Sequence, residues 1–574
     1  MNQYTEMETE DSEFDLHKLI RSAPVLVGRG LWCFAAFMES FVGWPLHWYL
    51  AKINLEPIAK AGLEDEPTFY PIQPPSGDKF TSDDKNVLDI EWQRKFLEEN
   101  TMKSPHYHSI LDYHKAFMSS EYATPEDLVD RIQKKIEESE MYDPPLRCFT
   151  QLNWKLAKQA AAESTIRYQN NCPLSVLDGV PVGIKDELNI KGFRTNCGRK
   201  KDMPINEEDC ATVAALRSLG VVIIGVTNMH EMGMGITGIN PNRGTARNPH
   251  NDQHVTGGSS SGSAAAVSSG IVPFAIGTDG GGSVRIPTSF CGMQGMKPTF
   301  GRVDASNTSL DSSTVASIGV IANNVADVAL VMNLMFIKAS DQRFFNSGCF
   351  NPVRSISDKP FSELKFGTNT EYVSYCHKEI QSVFETIVKP KLPKHTVEIK
   401  FRELYLSKIA HMNIILSETA QNQDVWRDHY DTLTYQTKII FSTCKRLALD
   451  HYMQSSAQKT RAIRMFKSIF EEVDLIITPT TASLPKRIDP RSLSSGELDE
   501  ENVLKTMWFV YLANFCGLPA MSINAGYTPN GLPVGLMLTA PWWREDLLIS
   551  AAKHLETELT KPERFYCPDS QKTA

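Results

Sequence analysis

Between residues 256 and 301 the chain reads T-G-G-S-S-S-G-S-A-A-A-V-S-S-G-I-V-P-F-A-I-G-T-D-G-G-G-S-V-R-I-P-T-S-F-C-G-M-Q-G-M-K-P-T-F-G. Two glycine/serine clusters flank an apolar segment, residues 271–276, and Ser259 and Ser283 close the two glycine runs 24 positions apart. Gly/Ser-rich sequence is ordinarily flexible linker. A linker has no reason to carry a small-residue helix pattern (263–267), a strand-like run and an arginine within one short span. Glycines that punctuate apolar elements mark turns with positive φ or close backbone approach. A serine after Gly280, Gly281 and Gly282 finds several backbone N–H groups free to point one way, which is how an oxyanion is held.

Around this stretch, helix and strand patterns alternate. Thr124 followed by Pro125 is a helix start, and the helix it opens is expected to run through Ile136. Residues 154–168 and 211–218 read as further helices. Strands are expected before Lys185, over 221–226, at 364–366 and 397–401, over 475–480 and over 531–538. Residues 408–470 are mostly helical in pattern, 486–501 form a polar, acidic excursion, and 507–518 read as a helix. This alternation predicts an α/β architecture. Residues 62–86, rich in Pro, Asp and Glu, are the best linker candidate. They divide the chain into an N-terminal arm, 1–87, and a main domain, 88–574.

The net charge of −9 disfavours a nucleic-acid binder, whose footprint would be a basic face. None of the 11 cysteines forms a C-x-x-C or a Cys/His pair with zinc spacing. A reduced, intracellular chain is expected, and its acidic start is unlike a secretory signal. Residues 23–50 hold three of the nine tryptophans. Their longest uncharged piece before Glu39 is 30–38, too short for a spanning helix, which needs about 20 apolar residues. Such a segment suits either a membrane surface or packing on the body or on a second subunit.

Several motifs compete to supply the chemistry. Gly233-Met-Gly-Ile-Thr-Gly238 has dinucleotide-loop spacing but should open a helix and leads instead into a loop-like run. Gly258-Ser-Ser-Ser-Gly262 matches a nucleophile elbow, yet residues 251–255 are a poor strand to precede one. His230 and His254 flank the glycine-rich region and are the natural partners for a Ser–His–acid triad. Lys185 closes a strand-like run and is followed by an acid. Burying an ammonium is costly, and a desolvated lysine can act as a neutral general base.

Lys185 within G-V-P-V-G-I-K-D, then G-G-S-S-S-G-S-A-A-A-V and G-T-D-G-G-G-S-V-R-I-P, resembles the amidase signature family of serine hydrolases. The separations, 74 residues from Lys185 to Ser259 and 24 more to Ser283, fit that family's Lys–Ser–Ser order. The resemblance implies a large twisted mixed β-sheet surrounded by helices. It implies Ser283 as nucleophile, with Ser259 in a cis peptide relaying protons to Lys185. Backbone N–H groups of Gly280, Gly281, Gly282 and Ser283 would bind the oxyanion, Asp279 and Arg285 would brace the loop, and no metal or cofactor is required. The aromatic arm makes the chain most similar to the plant-type fatty acid amide hydrolases. That similarity implies a fatty acid amide substrate, with small or aromatic amides as the alternative, contact with a membrane surface and a homodimer. The glutaminase component of a tRNA-dependent amidotransferase is a rival within the family, and a non-catalytic binding protein a rival outside it.

Overall fold

A computed structural model describes residues 24–39, 57–58, 60–71, 88–102, 108–119, 124–310, 313–338, 357, 359–394, 396–420, 430–444 and 448–559. An 11-stranded mixed sheet runs through it, surrounded by helices. In chain order the strands are β1 (Phe149–Leu152), β2 (Pro181–Lys185), β3 (Val222–Thr227), β4 (Phe274–Asp279), β5 (Gln294–Lys297) and β6 (Ser317–Ala322). They continue as β7 (Phe366–Thr368), β8 (Val397–Glu398), β9 (Leu475–Pro479), β10 (Ala520–Tyr527) and β11 (Pro533–Thr539). Their order across the sheet is β8-β7-β9-β11-β10-β5-β6-β4-β2-β3-β1.

β2 lies between β3 and β4 and is parallel to both. Every residue of these three strands is buried. Strands covered on both faces read as continuous apolar runs rather than alternating ones, which is why V-I-I-G-V and F-A-I-G stand out in the sequence. Against them packs helix α2 (Ser261–Ser268), itself wholly buried. Its small side chains let backbones meet closely: a Cβ on Gly262 would lie 2.2 Å from the Cys148 carbonyl oxygen.

The helix opened by Thr124 runs Pro125–Glu140, one turn longer than expected, with Thr124 and Asp127 forming a reciprocal capping box. Two expectations need correction. Residues 251–255 do form a strand, paired antiparallel with Arg247–Asn248. Backbone ladder bonds made it, which side-chain pattern does not report. The helix expected over 507–518 is confined to Tyr511–Phe515. Asp499 caps an earlier helix, Glu500–Thr506, which begins inside the supposed polar excursion and ends at Met507.

The described part of the arm docks on its own body. Leu26–Val27 pairs antiparallel with Glu497–Leu498, and the Gly28 N–H donates to Ser495 Oγ at 2.8 Å. Helix α1 (Gly28–Glu39) then packs against the helix Tyr435–Cys444. Leu31, Ala35 and Met38 are buried, at helical spacing, whereas Trp32 is 51% and Phe37 39% exposed. Further on, the Thr68 N–H donates to the Ser456 carbonyl and Lys459 Nζ to the Phe69 carbonyl, both at 3.0 Å. The remainder of the aromatic segment, residues 40–50, lies outside the described residues, as does most of the proline-rich stretch. No described helix is long and apolar enough to cross a membrane.

Candidate active site

Parallel β2 and β4 run in register, Ile184 opposite Ile276, so the side chains that follow emerge at the same edge of the sheet. There Lys185, with no solvent exposure, donates through Nζ to Ser259 Oγ and to Thr278 Oγ1, each at 2.6 Å. Burying a lysine is costly unless it is paired or neutral, and Glu187 Oε2 lies 3.0 Å from Nζ. The Thr278 hydroxyl donates in turn to that carboxylate. Asp186, the acid adjacent to Lys185, faces elsewhere: its carboxylate accepts the Asn196 and Gly198 N–H groups at 2.8 and 2.9 Å. Burial pushes its carboxyl up to about 7.

Ser259 stands just before α2, and the Gly258–Ser259 peptide is cis. The next residue ties it to the second glycine loop, since the Ser260 N–H donates to the Ser283 carbonyl at 3.2 Å. That loop is braced by Asp279 and Arg285, neither of them exposed to solvent. Arg285 grips the carboxylate through Nε and Nη2, both at 3.0 Å, and reaches the Val510 carbonyl and Asn514 Oδ1. Burial alone would raise the Asp279 carboxyl, but the charge and hydrogen bonds of Arg285 hold it well below the usual carboxylate range.

One assignment is corrected here. The Gly282 N–H donates to Asp279 Oδ1 at 2.7 Å, so it anchors the loop instead of standing free for an oxyanion. Gly282 takes φ +112°, and a Cβ there would lie 2.4 Å from Val510 Cγ2, so only glycine fits. The N–H groups of Gly280, Gly281 and Ser283 remain, with no acceptor among the described residues.

Ser259, Ser283, Thr278, Gly280 and Gly281 open onto a cavity of about 430 Å³. The rest of its wall is largely apolar and includes Phe34 and Met38 of α1, Ile415, Leu416, Ile439 and Met507. The volume suits a small-molecule site. Neither His230 nor His254 lines it. His230 is buried, its backbone N–H donating to the Ser259 carbonyl at 3.1 Å, and burial pushes its imidazole down to about 4. His254 sits in the outlying hairpin strand Asn251–Val255, whose backbone pairs at that residue with Arg487. Gly233 and Gly235 also line the cavity, but Gly233 ends a single 3₁₀ turn, Glu231–Gly233, and neither opens a helix. Sequence reasoning missed Glu187, Thr278 and His411, a cavity residue whose Nε2 donates to the Gly280 carbonyl at 2.8 Å.

Residues 127–549 match the amidase family, and the chain belongs to it: this is an amide-hydrolysing enzyme. Its relatives include plant fatty acid amide hydrolases. That of Medicago truncatula is 36% identical over 472 residues, 80% of this chain and 78% of that protein. That of Arabidopsis thaliana is 33% identical over 577 residues, 95% of each chain. A glutamyl-tRNA(Gln) amidotransferase chain from Endomicrobium trichonymphae is 28% identical, over 71% of this chain and 88% of that one. Among solved structures, a bacterial aryl acylamidase of the amidase signature family superimposes with a TM-score of 0.71 at 24% identity, covering 79% of this chain and 97% of its own. That likeness is one of fold.

Proposed function

We propose that the enzyme hydrolyses fatty acid amides, N-acylethanolamines and primary fatty amides, through an acyl-enzyme on Ser283. The observation that carries this reading is a largely apolar cavity whose wall also holds Ser259, hydrogen-bonded to buried Lys185, and Ser283. Similarity to the plant fatty acid amide hydrolases over most of the chain supports the substrate class.

In this reading Lys185, as the free amine, takes the Ser259 proton while Ser259 takes that of Ser283, whose Oγ attacks the amide carbon. The oxyanion is held by the Gly280, Gly281 and Ser283 N–H groups, a contribution of about 3–4 kcal/mol per donor. The proton returns through Ser259 to the leaving nitrogen as the C–N bond breaks, because an amide anion leaves very poorly. Water then hydrolyses the ester. Asp279 and Arg285 hold the loop and exchange no proton.

A fluorophosphonate probe is expected to label the Ser283 peptide. In a panel of amides, long-chain ethanolamides are expected to give the highest kcat/KM, above short aliphatic and aromatic amides. Labelling at another serine, lost when His230 or His254 is replaced, would install the histidine triad instead. Preference for glutamine with release of ammonia would make the chain a glutaminase, and absence of both labelling and turnover a binding protein.

We also propose that the enzyme works intracellularly at a membrane surface, with the outer face of α1 against the lipid. Trp32 and Phe37 stand exposed there while the opposite face packs on the body and lines the cavity. The two residues, five positions and so about 140° apart, flank the outward half of the helix, and indole and phenyl rings placed there suit the headgroup boundary. Because α1 also walls the cavity, surface substitution tests this better than deletion. Replacing Trp32 and Phe37 with serine is expected to move protein from vesicle pellets to the supernatant while hydrolysis of a soluble amide persists. Unchanged sedimentation removes the membrane role, and a switch from dimer to monomer without it makes the face a contact between two copies.

A further inference from the structure

The oxyanion loop consists of glycines, which have no side chains to hold their own peptides in place. A trans peptide is planar, with its carbonyl and the following N–H pointing opposite ways, so a donor on the carbonyl aims the next N–H. Asn514 Nδ2 donates to the Asp279 carbonyl at 2.7 Å and thereby aims the Gly280 N–H. Asp279 Oδ1 holds the Gly282 N–H at 2.7 Å, and the Ser260 N–H holds the Ser283 carbonyl at 3.2 Å. The Gly280–Gly281 peptide is held by His411 Nε2, 2.8 Å from the Gly280 carbonyl oxygen.

His411 is built for that contact. A carbonyl only accepts, so Nε2 carries the hydrogen, while Nδ1 has no partner among the described residues. The residue is 1% exposed, and burial pushes its imidazole down to about 4, so the ring is a neutral donor over the ordinary pH range. The helix Leu404–Ala420 carries it to the cavity wall. There its ring lies 6.0 Å from that of Tyr511 and 6.3 Å, edge-on, from that of Phe515. It also packs on the loop itself, since a Cβ on Gly281 would approach His411 Cε1 to 3.2 Å.

We propose that His411 is a positioning residue of the reaction: by holding the Gly280 carbonyl it aims the Gly281 N–H at the acyl oxygen of the substrate. The inference rests on Ser283 as the nucleophile. It gives a loop without side chains a definite geometry before substrate arrives, and pre-organised donors stabilise a developing charge best.

The test uses the full chain. His411→Phe keeps the ring and removes the donor, whereas His411→Gln returns an N–H close to the Nε2 position. Outright loss of an oxyanion donor costs about 10²–10³ in kcat, and a donor left unaimed is expected to cost about 10- to 100-fold. KM should change little, because the oxyanion exists only in the transition state. His411→Gln is expected to recover most of the loss. A trifluoromethyl ketone, which forms an oxyanion on the serine, should bind His411→Phe more weakly in parallel.

Unchanged kcat in a His411→Phe protein that keeps its thermal midpoint overturns the inference. So does an equal loss in the Phe and Gln variants with KM rising, the pattern of lost packing. Should His411→Phe fail to fold, His411→Gln is compared with the shorter His411→Asn, and equal kcat values in these two also overturn it. Ser283→Ala run alongside separates the two ideas. Retained turnover there removes the nucleophile assignment, whereas an inactive Ser283→Ala beside a normal His411→Phe removes only the role of His411.

Discussion

Ser283→Ala is expected to lower kcat for an N-acylethanolamine toward the uncatalysed background, by about 10⁶-fold if it follows other serine hydrolases. Ser283 is half-buried in the cavity wall, and its removal leaves the loop's carboxylate–guanidinium brace intact, so the protein should fold and unfold as before. Ser259→Ala is a separate probe, because it takes the Lys185 hydrogen bond at 2.6 Å and leaves Ser283 in place. Groups that act as one unit are grossly non-additive, so Ser259→Ala with Ser283→Ala should be no slower than Ser283→Ala alone. Substantial retained activity in Ser283→Ala, measured on protein free of contaminating hydrolase, would remove that serine from the mechanism.

The second large effect is on stability. Asp279 and Arg285 form an ion pair without solvent exposure, and breaking such a pair from one side costs about 3–5 kcal/mol because the remaining charge is buried alone. Arg285→Met and Asp279→Asn are each expected to lower the thermal midpoint and soluble yield markedly. The double variant should lose less than the two single losses added, since neither residue then strands the other. Activity should fall in every case, because the Asp279 carboxylate also holds the Gly282, Val284 and Arg285 N–H groups at 2.7–3.3 Å. Wild-type unfolding midpoints in either single variant would show that the pair contributes specificity of loop shape and little stability.

Much of the site is legible in the sequence. Lys185 stands out because a lysine closing an apolar strand is costly, and the structure finds it buried and paired. The spacing of Ser259 and Ser283 within glycine runs marks the two loops, and Ser259 does follow a cis peptide. What failed was local choice between equivalent neighbours. Asp186 and Glu187 both follow Lys185 in the chain, and only the turn after β2 decides that Glu187 meets Lys185 Nζ while Asp186 caps a loop. Gly280, Gly281 and Gly282 likewise look alike, yet the N–H of the last of them is taken by the Asp279 carboxylate.

By itself, then, the order of amino acids determined the α/β class, the two glycine loops and a lysine closing an apolar strand, because each of these follows from residue type and short-range spacing. Resemblance to the amidase signature family joined Lys185, Ser259 and Ser283 into one set. Tertiary structure decided who stands around them. His411 and Asn514 reach the loop from more than a hundred residues away, and Phe34 and Met38 reach the cavity from the other end of the chain. Such contacts leave no local pattern, since burial and sheet order bring these residues together only once the chain has folded.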